Sequence, residues 1–176
     1  MTDAYIYDAV RTPRGKGKDS GSLYTVKPLD LLVTVLDALQ ERNGFGQNTV
    51  EDVIVGCVTQ VSDQGACIAR TAVLRSGYGD SPPGQTVNRF CGSGLEAVNQ
   101  GAALVASGFQ DLVVAGGVES MSRVKMGSDG GALFDAEMIQ DRGIIPQGIS
   151  ADLVATTRGF SRQDVDAFAV ESQARA

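Results

Sequence analysis

The chain has 176 residues, 43% of them hydrophobic and 20% charged, which supports one compact globular domain or one domain with the start of an appendage, and excludes a disordered or fibrous protein. A net charge of −6 argues against nucleic acid as a partner, because binding phosphates needs a surplus of Lys and Arg. There is no histidine at all, so the commonest activator of a Cys or Ser nucleophile has to come from another chain.

Residues 4–10 alternate and carry β-forming side chains, predicting a first strand that ends in a turn at Thr12-Pro13. The start, Met1 to Tyr7, meets an acidic residue at once, unlike a basic signal sequence or an Arg-rich transit peptide, so cytoplasm is the expected compartment. Apolar runs stay at a few residues, far below the roughly 20 that span a bilayer, and no transmembrane helix is expected. Arg14 to Gly21 is rich in Gly and charge and reads as a solvated loop, its basicity leaving contact with a phosphate or a partner subunit as the other reading. Pro28 suits a first helical turn, and Leu29, Leu32, Val33, Leu36 and Leu39 form an apolar stripe that ends at Asn43-Gly44.

Val50 to Val58 reads as a second strand buried on both faces, with Cys57 as core. Gly65 to Ser76 predicts a second helix with Ile68, Ala69, Ala72 and Val73 inward and Cys67 on or near it. A Ser81-Pro82-Pro83-Gly84 turn, a short strand over 85–90, a helix over about 93–107 and an apolar strand over 112–115 follow. The order β, α, β, α, β, α, β is that of a layered α/β domain, with parallel pairing wherever a helix crosses over. After Gly116-Gly117 the composition shifts. Residues 118–147 hold Met121, Met126, Met138 and a Gly-rich run without clear period, as expected of a long excursion packed over a site. Two further helices are predicted, over 150–157 and 161–176, the second opened by a capping box of Ser161 and Asp164. Residues 1–117 are thus read as an α/β domain and 118–176 as the start of a second subdomain that looks unfinished.

Three cysteines, Cys57, Cys67 and Cys91, have neither an even count nor CxxC spacing, so free thiols are expected rather than disulfides or a zinc site, and no metal is expected. Cys91 is the candidate for chemistry. It follows a strand and precedes Gly92-Ser93-Gly94 and a helix with Leu95, Val98, Ala102 and Val105 on one face. Exposed amides and the positive end of the helix dipole favour a thiolate at such a place and can hold the oxyanion of an acyl-transfer intermediate. On the residues alone, a Cys before Gly-Ser-Gly is a buried structural thiol as readily as a nucleophile.

Asn88 to Ala97, followed by Ala115 to Ser122 at the expected separation, resembles the thiolase signature around the acyl-accepting cysteine. Asp8 to Pro13 with Gly15, Gly56-Cys57-Val58 and Asp164 to Ala169 match as well, so the resemblance spans essentially the whole chain. It implies the amino-terminal half of a thiolase: a layered α-β-α half with the start of a loop subdomain. It further implies a two-step acyl transfer in which Cys91 carries the acyl group, with acyl-CoA and CoA as substrates and products and no bound cofactor. An acidic chain can still hold CoA through a local basic patch. Thiolases take an activating histidine, a second cysteine and an asparagine from carboxy-terminal motifs that have no match here. Neither Cys57 nor Cys67 fills that vacancy.

The resemblance therefore implies a carboxy-terminal half or companion chain, and a homo- or hetero-oligomer, since a lone half exposes the apolar surface its twin covers. One departure concerns Pro146 to Asp152. There Gln147 stands where many thiolases carry methionine in the acyl pocket, so it is a candidate substrate contact affecting acyl preference or else a residue facing solvent. Glu119 is expected to accept hydrogen bonds at a strand end, Asn88 to hold a turn, Met121 and Met126 to pack, and Gly101 and Ala102 to allow close helix packing. A non-catalytic acyl-CoA-binding scaffold and a truncated piece of a full-length thiolase are the alternatives. The related ketoacyl synthases, which spell their cysteine motif differently, fit less well.

Overall fold

The structure, a computed structural model, describes residues 3–175. Met1, Thr2 and Ala176 lie outside the described residues, and with them the first two residues of the expected leaderless start and the last of the expected final helix. The chain divides into two compact units, one running to Asp129 and the other starting at Gly130.

In the first unit, α1 (Pro28–Asn43) opens on its proline and closes on Gly44, whose φ of 67° lets its N–H reach back 2.8 Å to the carbonyl of Gln40. Its stripe buries Leu32 and Leu36. Then come β1 (Asp52–Gly56), α2 (Ile68–Arg75), β2 (Gly84–Val87), α3 (Ser93–Ala106) and β3 (Val113–Gly117). The three strands form a parallel sheet in the order β2-β1-β3, with Ile54 of the central strand level with Gln85 on one side and Ala115 on the other. Val53, Ile54 and Val55 are at most 2% exposed, as a strand covered on both faces requires. Val53 and Val55 point into a cluster with Leu32, Leu36, Ile68 and Val73 of α1 and α2. The opposite face carries α3. Gly101 lets that helix come so close that a Cβ in its place would stand 3.1 Å from Val113. The result is an α-β-α sandwich, and the four inward residues expected of α2 are the four it buries.

Three expectations change. Residues 4–10 pair with no strand among the described residues, and Tyr5, Ile6 and Tyr7 are 70%, 82% and 85% exposed. β-forming side chains do not make a strand without a ladder to join; the segment is tied instead through Asp8 to Arg42 and Asn43 at the end of α1. On α3 the buried residues are Ser93, Ala97 and Gly101, whereas Leu95 is 67% exposed and Ala102 is also exposed. A sheet approached this closely admits only small side chains, so Leu95 and Ala102 turn outward while Val98 and Val105 are half-buried. Finally, the stretch expected to lack period contains a helix, α4 (Ala136–Arg142), only two turns long and too short to show a repeat.

The second unit holds α4, α5 (Gln147–Arg158) and α6 (Arg162–Arg175), none of which has a fully buried residue. The expected capping box is present: the Asp164 carboxylate accepts from the Ser161 N–H at 2.8 Å and the Ser161 hydroxyl accepts from the Asp164 N–H at 3.2 Å. The Ser161 hydroxyl, which donates to the Asp164 carboxylate at 2.7 Å, and then the Ser161 N–H hold that carboxyl below its ordinary range. No helix among the described residues is long and apolar enough to cross a membrane.

Candidate active site

Cys91 lies one residue before Gly92, the N-cap of α3, and is exposed. The chain reaches it through a turn that the sequence makes unusual. Phe90 has φ 47°, in the left-handed region that costs an ordinary side chain roughly 1–2 kcal/mol. Local hydrogen bonds, each worth on the order of 1 kcal/mol, offset that cost. Asn88 accepts from the Phe90 N–H at 2.8 Å and donates to the Val58 carbonyl at 3.1 Å, the turn-holding role expected of it. Ser93 accepts from the Arg89 N–H at 2.8 Å and donates to the Phe90 carbonyl at 2.6 Å. The Gly92 and Ser93 N–H groups close the turn onto the Arg89 and Phe90 carbonyls, each at 3.0 Å.

Beneath the turn, backbone meets backbone. A Cβ at Gly56 would stand 2.3 to 2.5 Å from the Ser93 carbonyl and the Gly94 nitrogen, so the start of α3 rests directly on the carboxyl end of β1. Glu96 in the first turn of α3, where a carboxylate suits the positive end of the helix dipole, is paired with Arg89 at 3.0 Å. Among the described residues, the N–H groups of Gly94 and Leu95 in the first turn of α3 have no acceptor, as is usual at a helix start.

The other thiols differ. Cys57 is 1% exposed, and burial, reinforced by the nearby Glu119 carboxylate, pushes its thiol up to about 12. Cys67 is exposed at the N-cap of α2 with φ 55°, its sulfur 3.3 Å from the Gly84 carbonyl and 3.6 Å from the Thr86 hydroxyl. All three cysteines are free.

Glu119 has a structural part. One carboxylate oxygen accepts from the Val58 N–H at 2.8 Å and the other from Gln64 at 2.7 Å, while the buried Gln64 in turn accepts from the Ser120 N–H at 2.6 Å. This braces the carboxyl ends of β1 and β3. The methionines do not pack as expected: Met121 is 48% and Met126 80% exposed. With Gly17 to Ser20 and Lys125 they line an open groove of about 650 Å³ that does not include Cys91. Gln147 belongs to the other unit, where it is the exposed first residue of α5. Among the described residues no cluster of three or more His, Cys, Asp or Glu is placed to hold a metal ion. Ser93 and Gly56 were not signalled as site residues; the one sequence cue was an Asn two residues ahead of a bulky residue that cannot turn unaided.

A family model described as "Thiolase, N-terminal domain" matches residues 4–176. The chain is 39% identical to a beta-ketoadipyl-CoA thiolase of Pseudomonas aeruginosa over an alignment covering 99% of this chain and 47% of that protein. It is 38% identical to a 3-ketoacyl-CoA thiolase of Shewanella loihica, covering 100% of this chain and 46% of that one. The chain thus spans about half the length of the curated relatives it matches. A crystal structure of the Bacillus anthracis acetyl-CoA acetyltransferase superposes on 58% of this chain and 26% of that one, with a TM-score of 0.55 and 41% identity.

Proposed function

The chain belongs to the thiolase family, and from that premise we propose that Cys91 is its acyl-accepting nucleophile, working together with a carboxy-terminal thiolase half. In the degradative direction the Cys91 thiolate attacks the keto carbon of a 3-ketoacyl-CoA. The bond between Cα and Cβ breaks, the departing carbanion takes a proton to leave as acetyl-CoA, and the acyl group stays on sulfur as a thioester. The thiol of a second CoA then attacks that thioester, releasing acyl-CoA and the Cys91 thiolate; condensation of two acyl-CoA molecules reverses these steps.

The observation that carries the reading is the position of Cys91: an exposed thiol just before the N-cap of α3, a helix whose first turn has amides without acceptors. Proton transfers need groups this chain lacks, since it has no histidine and its buried Cys57 thiol is pushed up to about 12. They fall to the companion half. The exposed Leu95 of α3 belongs to the surface that half would cover, and Gln147 is the residue proposed to add a polar contact to the acyl chain.

Competitive alkylation of the chain tests the assignment. At neutral pH, with the companion half present, iodoacetamide is expected to label Cys91 about tenfold or more faster than Cys67, which is also exposed, with Cys57 unreactive. Equal, slow labelling of Cys91 and Cys67 would favour a scaffold that has lost the chemistry.

A further inference from the structure

We propose that the open groove between the basic loop and the segment after β3 binds a phosphate-bearing adenine nucleotide, the end of CoA remote from its thiol. The inference rests on the acyl-CoA reading for the identity of the ligand and adds to it a site for the phosphates on this chain.

The groove of about 650 Å³ has the size of a small-ligand site. Gly17 to Ser20 form one wall, and Met121, Lys125 and Met126 form the other. The walls are tied together. Arg123 donates to the Tyr24 carbonyl at 2.8 Å and to the Asp63 carboxylate at 2.7 Å, and a Cβ on Gly17 would stand 3.1 Å from the Met121 Cβ. The charge of Arg123 is thus matched by Asp63. Lys18 and Lys125, one from each wall, have no acidic partner among the described residues, although the chain carries a net charge of −6. Two unpaired ammonium groups facing one groove suit a ligand with more than one phosphate. Met121 and Met126, 48% and 80% exposed, offer polarisable thioethers for a planar base to pack on. Asp19, the acid on the lining, can accept from a ribose hydroxyl or the adenine amino group. A bare phosphate would use neither the methionines nor Asp19. Met121 follows closely on Gly117, the end of β3, and the start of α3 rests on the carboxyl end of β1. Groove and Cys91 therefore lie at the end of the parallel sheet where α/β domains take ligands.

Equilibrium dialysis of the 176-residue chain against labelled adenosine 3′,5′-bisphosphate tests the site, because this probe has nucleotide chemistry but no thiol. Saturable binding is expected, weakening as salt is raised. K18E and K125E should each raise Kd about tenfold, and M126A about threefold. K27E, which alters an exposed lysine outside the groove, should change it by less than about twofold. Unlabelled CoA should displace the probe, and pantetheine should not. Absence of saturable binding, equal weakening by K27E, or displacement by inorganic phosphate at the same concentration as by CoA would overturn the nucleotide site. None of these results touches the nucleophile reading, since Cys91 does not line the groove. An unreactive Cys91 in a chain that binds the probe would instead overturn that reading and leave the groove standing.

Discussion

Cys57 sits under the sheet where water does not reach, and its thiol is pushed from an ordinary 9.0 up to about 12, first by that burial and then by the Glu119 carboxylate. Between those two values the unfolded chain gives up a proton that the folded chain keeps, so stability falls as pH rises through that window. One such group removes up to about 1.4 kcal/mol per pH unit. Tyr78, also buried and raised, acts in the same sense above its ordinary value of 10.0. Urea unfolding across the alkaline range checks this: C57A should be less stable than the parent at neutral pH yet lose stability less steeply above about pH 9. Parallel declines would show that Cys57 stays protonated for no energetic consequence. The contrast with exposed Cys91 explains why only one of these two thiols is proposed to react, although both lie in blocks that resemble the same family.

At the scale of elements, the contact of β1 with α3 decides where the candidate nucleophile stands. Gly56 has no Cβ because the backbone of Ser93 and Gly94 occupies that space, and a Cβ at Gly117 would likewise meet the Gly94 Cα at 3.3 Å. G56A should therefore push the start of α3 off the sheet and cost about 1–3 kcal/mol, read as a lowered urea midpoint with altered Cys91 labelling. An unchanged midpoint would contradict the close approach. The sequence carried the helix and strand periods of the first unit well, since Leu32 and Leu36 on α1, and Ile68, Ala69, Ala72 and Val73 on α2, are selected by burial against one sheet face. It misplaced the buried face of α3 because hydrophobicity points to Leu95, whereas the geometry rewards the small Ser93, Ala97 and Gly101. It promised a strand over residues 4–10 because alternation reports propensity but not whether a partner exists. The thiol's place at a helix start was readable from strand, glycines and helix; the Ser93 hydrogen bonds across Phe90 were not, because Asn88 marks a turn without showing which residue takes the positive φ.

For the molecule as a whole, the first unit has a core of its own, while the helices of the second have no fully buried residue and the apolar side chains of Tyr5, Ile6, Tyr7 and Leu95 meet solvent. The relatives it matches are about twice as long. Surfaces of this kind are what a second thiolase half would cover, and that half would bring the base the sequence lacks. The direct measurement joins the chain to such a half and supplies 3-ketoacyl-CoA without free CoA, so that no second thiol collects the acyl group. The quenched mixture is then mapped peptide by peptide by mass spectrometry. The account predicts an acyl group on the peptide bearing Cys91 and none on those bearing Cys57 or Cys67. An acyl group on Cys67 or on the companion alone, with Cys91 still free to react with a maleimide, would contradict it.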